Sequence, residues 1–119
     1  MTREGKTLEH TVLDNLATFL SPDKLQTLLV RYVDDSEKLL HQLDDALQND
    51  NAEEATRLVH SLKSTSANVG AIQISEFARA LENLAREQKL DEVRQQTNQL
   101  SELFDVTRIA IQQLDLMKG

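Results

Sequence analysis

Residues 55–70 read ATRLVHSLKSTSANVG, and their spacing decides how the rest of the chain is understood. At about 3.6 residues per turn, Ala55, Leu58, Val59, Leu62, Ser66 and Val69 gather into one apolar and small-residue stripe. His60 falls nearly opposite the middle of that stripe, which points it at water. Its neighbours at the spacings that share a helix face include Thr56, Lys63, Ser64 and Ala67. Most solvated helix faces carry long charged side chains, so a histidine with one lysine and otherwise small neighbours is unusual. The stretch ends at Gly70, the residue type expected just past a helix C-terminus. Its angle disfavours a core position for His60. Periodicity alone leaves two readings, a solvated histidine with no role or the centre of a site.

Upstream, Leu8, Val12, Leu13, Leu16, Phe19 and Leu20 follow helical spacing and predict a short first helix from Thr7 to Leu20. Leu8, Val12 and Phe19 are read as core or core-covering residues, with an apolar rim to a docking surface as the alternative. Residues 1–6 read as a frayed start. Ser21-Pro22-Asp23 is a helix start, with an N-cap serine and proline at the first helical position. From Pro22 to about Asn49, Leu25, Leu28, Leu29, Tyr32, Val33, Ser36, Leu39, Leu40, Leu43 and Leu47 keep one face apolar. Asn49-Asp50-Asn51 breaks that helix, and Asn51 with Glu54 three residues on opens the next.

Beyond Gly70, the positions Ile74, Phe77, Ala78, Leu81, Leu84, Ala85 and Gln88 mark a helix ending near Lys89. A last long helix is expected from Leu90 to Met117, carried by Val93, Thr97, Leu100, Leu103, Phe104, Thr107, Ala110, Ile111 and Leu114. Links of a few residues make sequential helices antiparallel. The expected fold is all-α: an antiparallel up-down four-helix bundle with a short additional N-terminal helix, one domain over residues 1–119. The initial Met and the complete helix set fit a free-standing protein.

Composition agrees. Three Gly and one Pro leave few punctuation points, and aromatics make up only 3% of the chain, which suits helix-on-helix packing. There is no cysteine, so disulfides and thiolate metal sites are excluded and a reducing compartment is expected. No apolar run reaches signal-peptide or membrane-spanning length, so a cytoplasmic protein without a membrane partner is expected. A net charge of −7 argues against nucleic acid as a partner, which needs a clustered positive surface.

The run His60 to Ala71, HSLKSTSANVGA, resembles the signature of histidine-containing phosphotransfer (HPt) domains. In that family the phosphoacceptor histidine is followed by Leu-Lys, a small residue, a Ser/Ala-rich turn and a Leu/Val-Gly-Ala exit. The resemblance implies that His60 is phosphorylated, that Lys63 offsets phosphoryl charge and that Gly70 ends the helix. Leu81-Glu82 sits where the family has a Leu-Glu or Leu-Gln pair near the histidine. Ser64 departs from the usual Gly or Ala, adding one hydroxyl able to bond His60 or a phosphoryl oxygen. Thr56, Ser64 and Ala67, all small, would let a partner's active site close over the histidine.

The chemistry fits. An ordinary imidazole, with a pKa near about 6.5, is largely unprotonated and nucleophilic at neutral pH. Lysine is a flexible point charge suited to following a phosphoryl group. The sequence carries no Gly-rich phosphate loop, no segment after His60 long enough for an ATP-binding kinase domain and no acidic cluster for Mg²⁺ beside the histidine. No cofactor is therefore expected. Mg²⁺ and the second phosphoacceptor would come with a partner, which the resemblance implies is a response-regulator receiver domain, in a relay begun by a hybrid sensor histidine kinase. A monomeric carrier is expected.

Other candidates carry less. His41, beside Lys38, Asp44 and Asp45, and His10, near Asp14, lack a second histidine at ligand spacing and read as surface. Asp34-Asp35-Ser36-Glu37-Lys38 reads as the outer face of a helix. Glu82, counted with Thr56, Ser64 and Ala67 on the expected partner-binding surface, is either a hydrogen-bonding partner for Lys63 or His60, or an exposed helix glutamate. Two other functions stand beside the carrier. One is a helical adaptor. The other is a histidine-kinase fragment, disfavoured because Ser61 rather than an acid follows His60 and no proline follows Pro22.

Overall fold

The computed structural model describes residues 7–114. They form five helices: α1 (His10–Phe19), α2 (Pro22–Gln48), α3 (Ala52–Asn68), α4 (Ile72–Arg86) and α5 (Leu90–Gln112). No strand occurs among the described residues. Helix α3 packs against α4 and α2, α5 packs against α4 and α2, and α1 lies against α2.

The stripes predicted from spacing are the buried faces. Ala55, Leu58, Val59, Leu62, Ser66 and Val69 are each 2% exposed or less. They meet Leu29 and Leu43 of α2 and Ile74, Ala78 and Leu81 of α4 in one apolar core, closed by Val93, Leu100 and Phe104 of α5. Burying a leucine of this kind contributes roughly 1.5–3 kcal/mol, which explains why period rather than propensity decides the fold.

Several polar groups in that core have partners. Ser66, small enough for the stripe, bonds the Tyr32 hydroxyl at 2.6 Å across the α2–α3 interface. Thr107 returns its hydroxyl to the Leu103 carbonyl at 2.9 Å. Ser75 donates to the Lys63 carbonyl at 3.0 Å, tying the start of α4 to the site-bearing part of α3.

Helix starts follow the expected chemistry. The Ser21 side chain accepts from the Lys24 amide at 3.3 Å, with Pro22 at the first helical position. Asn51 accepts from the Glu54 amide at 3.1 Å. The pairing is one-sided, because the Glu54 carboxylate turns to Arg57 instead, at 2.6 and 2.9 Å.

Three helices end in the same hydrogen-bonded turn, in which two successive amides reach back to carbonyls of the last helical turn. After α3, Gly70 N bonds Ala67 O at 3.2 Å and Ala71 N bonds Ser66 O at 2.8 Å. After α2, Asp50 and Asn51 repeat this on Leu47 and Ala46, and after α4, Gln88 and Lys89 repeat it on Ala85 and Leu84. The left-handed residue of the turn has φ +83° at Gly70, 52° at Asp50 and 64° at Gln88.

At Gly70 close packing adds to the conformational demand. Glu9 N donates to Gly70 O at 2.6 Å, and a Cβ at Gly70 would lie 2.8 Å from Glu9 O. The entry to α1 is thus seated on the α3–α4 turn. Arg94 performs a similar fastening at the other end, donating to the Leu47 carbonyl at 2.6 Å and pairing with Asp50 and Asp91.

Several expectations need correction. The first helix begins at His10 rather than Thr7, with Leu8 already buried ahead of it. Phe19 is 86% exposed instead of core, because the helix stops there and Leu20 leaves in extended conformation (φ −117°, ψ 138°). Gln88 is not part of the α4 stripe but the left-handed residue beyond it. The last helix ends at Gln112; Met117, like the frayed start assigned to residues 1–6, lies outside the described residues.

Candidate functional site

Helix α3 presents His60 on the face away from its buried stripe, and its side chain is 56% exposed. One turn on, Lys63 is held at 26% exposure. Facing them from α4 is Glu82, 4% exposed in its side chain, which shares the inner side of α4 with Ala78, Leu81 and Ala85. The α3–α4 pairing that buries Leu62 and Leu81 therefore also delivers a carboxylate beneath the histidine.

Glu82 is the hub of this site. Its Oε1 accepts from Lys63 Nζ at 2.7 Å. Its Oε2 accepts from His60 Nδ1 at 2.9 Å and from Arg86 Nη2 at 2.7 Å. Burial pushes the Glu82 carboxyl upward, but hydrogen bonds from Lys63, His60 and Arg86 together with the Lys63 charge outweigh it and hold the group down to about 2. It is ionised throughout the physiological range.

An ionised carboxylate accepts hydrogen bonds and donates none, so His60 Nδ1 carries the proton in the bond to Glu82. In a neutral imidazole the other nitrogen, Nε2, then keeps its lone pair. The arrangement fixes the ring's tautomer and orientation while leaving more than half of the side chain open to solvent.

The structure brings His60, Lys63 and Glu82 together. It settles the alternatives left open for Glu82, which is buried and bonded rather than an exposed helix residue, and which at 4% side-chain exposure lies beneath the expected partner-binding surface rather than on it. Thr56, Ser64 and Ala67 share the histidine's face of α3. Ser64 and Ala67 are exposed, and Thr56 is half-buried with its hydroxyl returned to the Ala52 carbonyl at 2.7 Å. The imidazole's bond runs to Glu82, not to the Ser64 hydroxyl. His10 and His41 are exposed, as expected.

Spacing had not singled out Arg86. The signal was present, since Arg86 stands four residues after Glu82, a spacing that places opposite charges side by side on a helix. Burial of Glu82 was likewise readable from its place one residue past Leu81 and three before Ala85.

Comparison with known proteins agrees with this geometry. The family model for the Hpt domain matches residues 27–115. Among solved structures, the crystal structure of histidine-containing phosphotransfer protein B (HptB) from Pseudomonas aeruginosa PAO1 superposes with a TM-score of 0.87 at 31% identity. The match covers 92% of this chain and 94% of that one. No curated protein sequence matches. The chain belongs to the Hpt domain family, and its function is histidine phosphotransfer in a two-component phosphorelay. No described helix is long and apolar enough to cross a membrane.

Proposed function

We propose that His60 is the phosphoacceptor, and that the chain carries a phosphoryl group from one receiver-domain aspartate to another. The observation that carries this reading is the half-exposed imidazole seated by Nδ1 on the buried Glu82 carboxylate. The lone pair of Nε2 attacks the phosphorus of an aspartyl phosphate. An N–P bond forms, the P–O bond to the aspartate breaks, and the aspartate departs as a carboxylate. The Nδ1 proton stays against Glu82, so the phosphorylated ring is cationic and its charge is met by the carboxylate. Reversal of the same step hands the group on.

Lys63 offsets negative charge as the phosphoryl group arrives. In the resting site its ammonium is held by Glu82 Oε1, so it starts one turn from the ring rather than loose in solvent. Thr56, Ser64 and Ala67 form the low surface over which the partner closes, and Glu82 sets the ring beneath it. The carrier contributes no ATP site and no cofactor of its own; Mg²⁺ comes with the receiver domain. Phosphate enters from a hybrid sensor histidine kinase.

We read α2 to α5 as an antiparallel up-down four-helix bundle with α1 as an additional helix, the whole chain forming one HPt domain that acts as a cytoplasmic monomer. Incubation with a phosphorylated receiver domain tests the central assignment. Acid-labile, base-stable label is expected on the wild type and none on His60→Gln; label persisting in that variant contradicts it.

A further inference from the structure

We infer that Arg86 is a docking residue, which receives a carboxylate of the incoming receiver-type partner at the cleft between the start of α3 and the end of α4. The inference rests on the phosphocarrier reading and adds a contact that determines how tightly a partner is held. Arg86 is 62% exposed, yet it is not loose, because its Nη2 is fixed to Glu82 Oε2 at 2.7 Å. A guanidinium has five N–H donors in a planar fork, and this bond engages one. The others are presented by a side chain already restrained, so a bidentate carboxylate contact would cost less ordering entropy than at a mobile arginine.

Arg86 lines a cleft of about 310 Å³ with Ala52, Glu53, Thr56, Ala85 and Gln88. The small side chains leave the fork approachable. Glu53 shares the cleft, but Arg86 pairs with Glu82 instead. Because Oε2 of Glu82 is shared by Arg86 and His60, the cleft adjoins the Nδ1 side of the ring, beside the path of the phosphoryl group rather than on it.

Charge across the chain favours the same occupant. Within residues 52–89 five basic and five acidic residues balance, so the net charge of −7 resides entirely outside the α3–α4 hairpin. A partner that holds Mg²⁺ does so with carboxylates and presents an acidic rim. A neutral hairpin with one restrained, exposed arginine beside the histidine suits such a rim, whereas the remainder of this surface repels it.

The test is transfer kinetics from a phosphorylated receiver domain, measured across receiver concentrations for the wild type, Arg86→Gln, Arg86→Lys and Glu53→Gln. Arg86→Gln is expected to raise KM roughly five- to tenfold while the saturating rate changes by less than about twofold. Arg86→Lys, a charge without a fork, should recover part of the loss. Glu53→Gln should lower KM by removing a repulsive neighbour. A KM for Arg86→Gln equal to the wild type's overturns the proposal. So does a fall in saturating rate at constant KM, which would make Arg86 a residue acting on the ring through Glu82. Absence of label on the wild type itself would instead remove the phosphocarrier reading beneath it.

Discussion

Glu82 is placed where one side chain bears on both the stability of the fold and the proposed chemistry. Its carboxyl is held well below the ordinary value of 4.5, at about 2, so the folded state binds its proton less readily than the unfolded chain. The stabilisation from the cluster is therefore fully present above about pH 4.5 and is lost as pH falls towards 2. The shift corresponds to at most about 3 kcal/mol, reduced in practice because His60 and Arg86 are more than half exposed and screened. Urea midpoints of the wild type and Glu82→Gln, followed from pH 7 to pH 2, should differ most at neutral pH and converge through that window. A constant difference would mean that the ionised form is not what stabilises. The same variant should slow phosphoryl transfer roughly tenfold or more, since an amide cannot neutralise the cationic phosphorylated ring. Lys63→Ala should keep the helical circular dichroism and slow transfer by a similar factor; an unchanged rate would remove Lys63 from the mechanism.

At the scale of elements, helix faces were readable in the sequence and helix ends less so. The six-residue stripe of α3 is buried as the 3.6-residue period requires, and α2 and α3 end within about a residue of the expected points. Period says nothing, however, about the turn that stops a helix. Phe19 continues the angular pattern of α1, but no further turn of helix follows to cover it, so it is left in solvent. Gln88 likewise continues the α4 stripe by angle and yet adopts φ 64°, a conformation that costs a residue with a side chain about 1 kcal/mol. Gln88→Gly should therefore raise stability by about 0.5–1 kcal/mol, visible as a thermal midpoint several degrees higher. Gly70→Ala should do the reverse and by more, about 2 kcal/mol or above. The new Cβ meets both a positive φ of 83° and the Glu9 backbone oxygen at 2.8 Å. Equal melting of Gly70→Ala and the wild type would contradict the seating of α1 on that turn.

For the whole molecule, the site is a consequence of two helices packing along their apolar faces. Residues 22 apart in sequence, His60 and Glu82, meet because α3 and α4 are joined by the tight turn at Gly70 and share one core. That the histidine was open to solvent was legible from its own helix. The ring's state depends on the register of α3 against α4, and no single helix contains that information. The central claim is that Glu82 holds the proton on Nδ1 so that Nε2 of His60 receives the phosphoryl group. Phosphorus–nitrogen correlation by NMR on the ¹⁵N-labelled, phosphorylated protein tests it most directly. The account predicts one phosphorus coupled to Nε2 of His60, with Nδ1 still protonated; coupling to Nδ1, or phosphate on any other residue, would contradict it.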